Sequence, residues 1–112
     1  MAKPETNFYR NKVKPTLESI PGLFFEKISQ VSIRGFPDVL ICYKGNFIVW
    51  ELKVPPNKVK YGSLQWNKLT SISKAGGIAR EVTPGNLEEA LEEILCLDGL
   101  KRNPYLHPKS NQ

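Results

Sequence analysis

The stretch Pro37–Lys53, PDVLICYKGNFIVWELK, decides both the fold and the reading of this chain. Two β-rich runs, VLICY and NFIVWELKV, flank Lys44-Gly45-Asn46, a hairpin turn by composition. Side chains alternate across a strand, so Phe47, Val49, Glu51 and Lys53 share one face, and Ile48, Trp50 and Leu52 share the other. Counting back from Gly45 brings Asp38 opposite the segment Glu51–Lys53, to within one residue of register. Two carboxylates and an ammonium thereby gather at the open end of an otherwise apolar hairpin. Charge in such a strand is costly to bury unless something compensates it.

Outward from the hairpin, residues 5–19 place Phe8, Val13 and Leu17 with Tyr9 at roughly helical spacing, after a favourable Pro4 start; Pro15 is expected to end or kink this helix. IPG at 20–22 is a turn, LFFEKISQ at 23–30 a first strand, and RGFP at 34–37 a break. Pro55-Pro56 cannot continue a central strand. From Ser63, Leu64, Leu69 and Ile72 fall on one helical face, with Gly76-Gly77 as the stop. IAREV is a short strand. The last helix carries Leu87, Leu91, Ile94 and Leu95 as an apolar stripe, with Glu88, Glu89, Glu92 and Glu93 on its wet side. The order α-β-β-β-α-β-α predicts an α/β domain over residues 1–100, a mixed sheet of about four strands flanked by helices. Residues 101–112, which include His107, read as a polar, flexible tail.

A chain of 112 residues is one domain with enough core to fold without disulfides or a structural metal. No apolar run reaches membrane-spanning length, and the polar start MAKPETNFYR lacks a signal-peptide core, so a cytoplasmic location is expected. Cys42 and Cys96 lack redox or metal-ligand spacing and read as reduced core thiols. The net charge is +5 and unevenly spread. Residues 1–80 hold thirteen Lys or Arg against five acids, whereas residues 81–112 hold three against six. The basic part also contains Asp38 and Glu51, and an anionic polymer suits such a face.

Two adjacent carboxylates repel each other unless a positive charge sits between them. Mg²⁺ takes one or two protein carboxylates and completes its shell with water and substrate phosphate. A simple surface salt bridge to Lys53 is the competing explanation of the same spacing.

GFPD, a hairpin and then WELK resemble the PD-(D/E)xK nuclease superfamily. Glu5 in the first helix and Gln65 opening the later one occur in the matching order, over residues 4–83. The set looks like the small stand-alone VRR-NUC nucleases of phages and bacteria. That resemblance implies a restriction-endonuclease-like core. It implies Asp38, Glu51 and the Leu52 backbone carbonyl as ligands of Mg²⁺ or Mn²⁺, Lys53 as the catalytic lysine, and Glu5 and Gln65 beside them. It further implies a DNA endonuclease, often a homodimer acting on branched DNA such as Holliday junctions, working in the bacterial host cell if phage-encoded. No small-molecule cofactor is expected.

Lys58, Lys60 and Tyr61 form a basic loop beside the Glu-x-Lys strand and are candidate nucleic-acid contacts, as are Arg34, Arg10, Lys12 and Lys14. Trp66 suits core packing, base stacking or a dimer contact. A site-specific homing- or restriction-type endonuclease on duplex DNA, a non-catalytic nucleic-acid-binding module and a protein-interaction module remain alternatives.

Overall fold

The computed structural model describes residues 3–28 and 34–97. The proposed tail 101–112, His107 and the end of the LFFEKISQ run lie outside them. Within the described residues the chain is a small α/β domain whose four-stranded mixed sheet runs in the order β1-β2-β3-β4. The strands are β1 (Phe24–Lys27), β2 (Val39–Tyr43), β3 (Asn46–Leu52) and β4 (Ile78–Val82). The first three pair antiparallel, and β4 returns parallel to β3 through the helix α3 (Leu64–Lys74). Helix α4 (Leu87–Leu95) follows β4.

The β2–β3 hairpin closes on two residues, since Tyr43 pairs with Asn46. Lys44 and Gly45 have φ of 52° and 81°, the pair of positive values that a tight turn between twisted strands requires. Asn46 thus belongs to the strand rather than to the turn, where it donates its side-chain amide to the carbonyls of Tyr43 and Lys44.

Before β1, the chain runs as α1 (Pro4–Phe8), a π-helical turn (Tyr9–Val13) and α2 (Lys14–Glu18). Pro15 does not end the helix, which corrects one half of the expectation above, while the regular ladder is interrupted just before it. The Lys14 N–H donates to the Tyr9 carbonyl, five residues back, so the ladder is already widened where proline would crowd it. The wide turn also explains the five-residue step from Phe8 to Val13. At 100° per residue that step would leave the apolar face, yet Phe8, Val13 and Leu17 are all buried.

The core lies on one face of the sheet. Ile48, Trp50 and Leu52 of β3, Val39 and Ile41 of β2, and Val82 of β4 pack there with Phe8, Val13 and Leu17 and with Ala90 and Ile94 of α4. Helix α3 lies on the opposite face: a Cβ at Gly77 would meet Ile72 of α3 and Phe47 of β3. Its cover is thin. No α3 residue is fully buried, and Leu64, which was expected on the packed face, is 54% exposed. On the same side of the sheet Phe24, Cys42 and Phe47 form an exposed row across three strands. Cys42 and Cys96 are free thiols as expected, but both are exposed, not core. Cys42 points to this open face, and Cys96 caps α4. Among the described residues, no helix is long and apolar enough to cross a membrane.

Candidate active site

The open end of the hairpin is where the register matters. Val39 lies opposite Trp50, so Asp38 stands beside Glu51 one step further on. Asp38 is tied in twice. Its carbonyl accepts the Ile28 N–H at 2.7 Å, and its carboxylate Oδ2 accepts the Leu52 N–H at 2.8 Å. A carboxylate so held has little freedom to swing away from Glu51.

Among the described residues Glu51 is the one buried acid: 3% of it is exposed, and its Oε1 has no hydrogen-bond partner among them. Its Oε2 lies 3.7 Å from the Lys53 ammonium, a loose ion pair. Burial, followed by repulsion from Asp38, pushes the Glu51 carboxyl up to about 8, against the pull of Lys53 and Lys27. Below about pH 8 the folded chain thus keeps Glu51 as the neutral acid, hydrogen-bonded toward Asp38, while its buried Oε1 stays unsatisfied, a group that calls for an explanation.

Glu5 reaches the same place from α1. Its Oε2 accepts the Val54 N–H at 3.1 Å and the Asn57 side-chain amide at 3.0 Å. Burial works to raise its pKa, but these hydrogen bonds, its own backbone N–H and the Lys53 charge together hold it below the usual carboxylate range. Glu5 therefore braces the chain leaving β3. Among the described residues no three His, Cys, Asp or Glu side chains cluster closely enough to form a ready-made metal site.

These groups line one cavity of about 410 Å³, walled by Glu5, Asp38, Glu51, Lys53 and Gln65, with Lys27 at its side. Leu52 also lines it; its side chain is buried in the core on the other face, which leaves its backbone to face the cavity. Gln65 arrives through the seating of α3. Ser63 caps that helix by accepting the Trp66 N–H, and the chain at Gly35 packs directly against Leu64. Gly35 has φ +78°, and a Cβ there would lie 2.9 Å from Leu64 backbone atoms, so glycine is what lets the GFPD loop and the start of α3 touch.

A second cavity, about 400 Å³, shares Lys53 and Gln65 with the first and continues between Asn57, Lys58, Lys60 and Ser63. Arg34, Arg10, Lys12 and Lys14 are exposed and line neither cavity; Arg10 turns back to Asn7. Trp66 is half-buried with its ring centroid 4.5 Å from that of Tyr61, so it is neither a core residue nor free.

Four contributors were missed from sequence. Lys27 and Lys3 line the first cavity, and nothing in β1 or the N-terminus marks them apart from other lysines. Asn57 and Glu81 anchor the basic loop, Asn57 through Glu5 and Glu81 by accepting the Val59 N–H at 3.1 Å. The position of Glu81 beside Glu51 in the parallel β3–β4 pair was the available signal.

The donor set suits a hard divalent cation: two adjacent carboxylates, one with an orphaned buried oxygen, the Leu52 backbone beside them, and open volume for water and phosphate. No family model, curated protein or solved structure matches this chain significantly.

Proposed function

We propose that the chain is a metal-dependent DNA endonuclease of the PD-(D/E)xK type, with a restriction-endonuclease-like core. The observation that carries this reading is Glu51: a buried, incompletely partnered carboxylate beside Asp38 and Lys53, facing a cavity that leads into a lysine-lined groove.

Asp38 and Glu51, with the Leu52 carbonyl, would hold Mg²⁺ or Mn²⁺. When bound, such an ion supplies a water of lowered pKa and charge neutralisation at the phosphate. The chain's own part is positioning. The Leu52 N–H keeps Asp38 aimed beside Glu51. Lys53, which lines the cavity, offsets charge building on the phosphate oxygens or steadies the attacking water. Glu5 holds Val54 and Asn57 and so fixes the exit of β3, which carries Lys53. Gln65 adds an amide to the same wall. The structural salt-bridge alternative fits less well, since at 3.7 Å Lys53 satisfies neither Glu51 oxygen with a close hydrogen bond.

A small reading surface favours branched or low-specificity substrates over a long recognition sequence. A homodimer, with the exposed Phe24–Cys42–Phe47 row available for contact, would place two sites on one substrate. The test is cleavage of a labelled four-way junction, a linear duplex and a single strand, each with Mg²⁺, Mn²⁺ or EDTA, alongside sedimentation with and without DNA. Metal-dependent cutting of the junction supports the reading. Cutting of duplex at one site favours the site-specific alternative. Metal-independent binding with no cutting favours a binding module, and a persistent monomer removes the dimer.

A further inference from the structure

Beyond the two carboxylates, the segment from Pro55 to Trp66 is built as a platform. It is anchored at several points: Glu5 accepts the Val54 N–H just before it and the Asn57 side-chain amide, Glu81 accepts the Val59 N–H, and Ser63 donates its N–H to the Lys60 carbonyl within it. A basic loop needed only for solubility has no use for two half-buried carboxylate anchors, Glu5 and Glu81. Held in this way, Lys58 and Lys60 line the second cavity, which opens into the first through Lys53 and Gln65. Just past Lys60, Tyr61 is 86% exposed. Its ring leans on Trp66 at 4.5 Å and a tilt of 56°, so it stands in solvent yet is braced from behind.

We propose that the second cavity and the Tyr61–Trp66 pair form a subsite for an unpaired nucleotide of a DNA strand next to the scissile phosphate. Lys58 and Lys60 take its phosphate, and the exposed Tyr61 ring takes the face of its base. This rests on the nuclease reading for the word scissile and deepens it by naming the strand's state. A base can lie on Tyr61 only after leaving its helical stack, which is cheap at a junction, flap or single strand and costly within continuous duplex. Stacking needs no particular base, so the subsite selects structure and not sequence. It also gives the braced loop a purpose, since lysines already in place lose less entropy on binding.

The test uses the full chain in EDTA, where no cutting confounds binding. Trp50 is wholly buried, so quenching of tryptophan emission by a short oligothymidylate reports on Trp66. Expected are saturable quenching and at least about tenfold weaker binding of a blunt duplex of equal length. Tyr61→Ala should weaken oligothymidylate binding by about 5–100-fold, matching one stacked base. Lys58→Ala and Lys60→Ala should each lower the slope of log affinity against log salt by about 0.7. Duplex binding as tight as single strand, or Tyr61→Ala binding like wild type, would overturn the subsite even if Mg²⁺-dependent cleavage is found. Quenching that follows the expected pattern in a protein that cuts nothing would uphold the subsite and sink the nuclease reading instead.

Discussion

Two acidic clusters sit on opposite faces of the same parallel strand pair. On one face Arg80 lies 3.2 Å from Glu93 and 3.7 Å from Glu89, and both glutamates are open to water. On the other, Glu51 is buried, crowded by Asp38 and only loosely met by Lys53. Each cluster sets two acids against one base, but in the first every group can be hydrated, and such pairs contribute little. In the second, with the same count, Glu51 is buried. The lesson is that a site is marked by charge the fold leaves uncompensated, not by charge density.

Breaking the comparison at its most consequential point should give the largest effect. With Mg²⁺ or Mn²⁺, Glu51→Gln or Asp38→Asn should lower junction cleavage by about 10³-fold or more, as the loss of several kcal/mol of charge stabilisation requires. Glu93→Gln should cleave like wild type. Equal rates for Glu51→Gln and Glu93→Gln would erase the distinction between the clusters.

Lys53→Met keeps the bulk of the side chain and removes its charge. Single-turnover rates should fall by about 10²–10³-fold, with DNA affinity in Ca²⁺ little altered. A loss confined to affinity would make Lys53 one more phosphate contact. The smallest effect belongs to the wet cluster: Arg80→Ala should cost no more than about 1 kcal/mol in urea unfolding.

Much of this contrast was legible in the chain. Alternation along β3 separated Glu51 and Lys53 from Ile48, Trp50 and Leu52, and the glycine turn brought Asp38 to them. Those signals are local, and local rules hold for a tight hairpin. The errors share another cause. Cys42 sits in an apolar run, yet it is exposed, since among the described residues no helix covers that half of the sheet, and periodicity cannot report what lies opposite a face. Leu64 fits a helical stripe but falls at a helix end beyond the sheet's cover. Pro15 does not stop the helix because the π turn before it relieves the clash. Asn57 and Glu81 act through single side-chain to backbone bonds across the fold, contacts with no sequence period at all.

The account's central claim is that Glu51 is held ready for a cation. Below pH 4.5 the Glu51 carboxyl is protonated in folded and unfolded chains alike. Between 4.5 and about 8 the folded protein keeps a proton that the unfolded chain has released, so metal-free stability falls as pH rises through that window. Glu51→Gln removes this loss. The direct measurement is the unfolding temperature of wild type and Glu51→Gln from pH 5 to 8.5, without metal and then across millimolar Mn²⁺. The expected result is a variant more stable than wild type at pH 8 but not at pH 5, with Mn²⁺ raising the wild-type value alone. Parallel pH curves, together with the same Mn²⁺ response in both proteins, would contradict it.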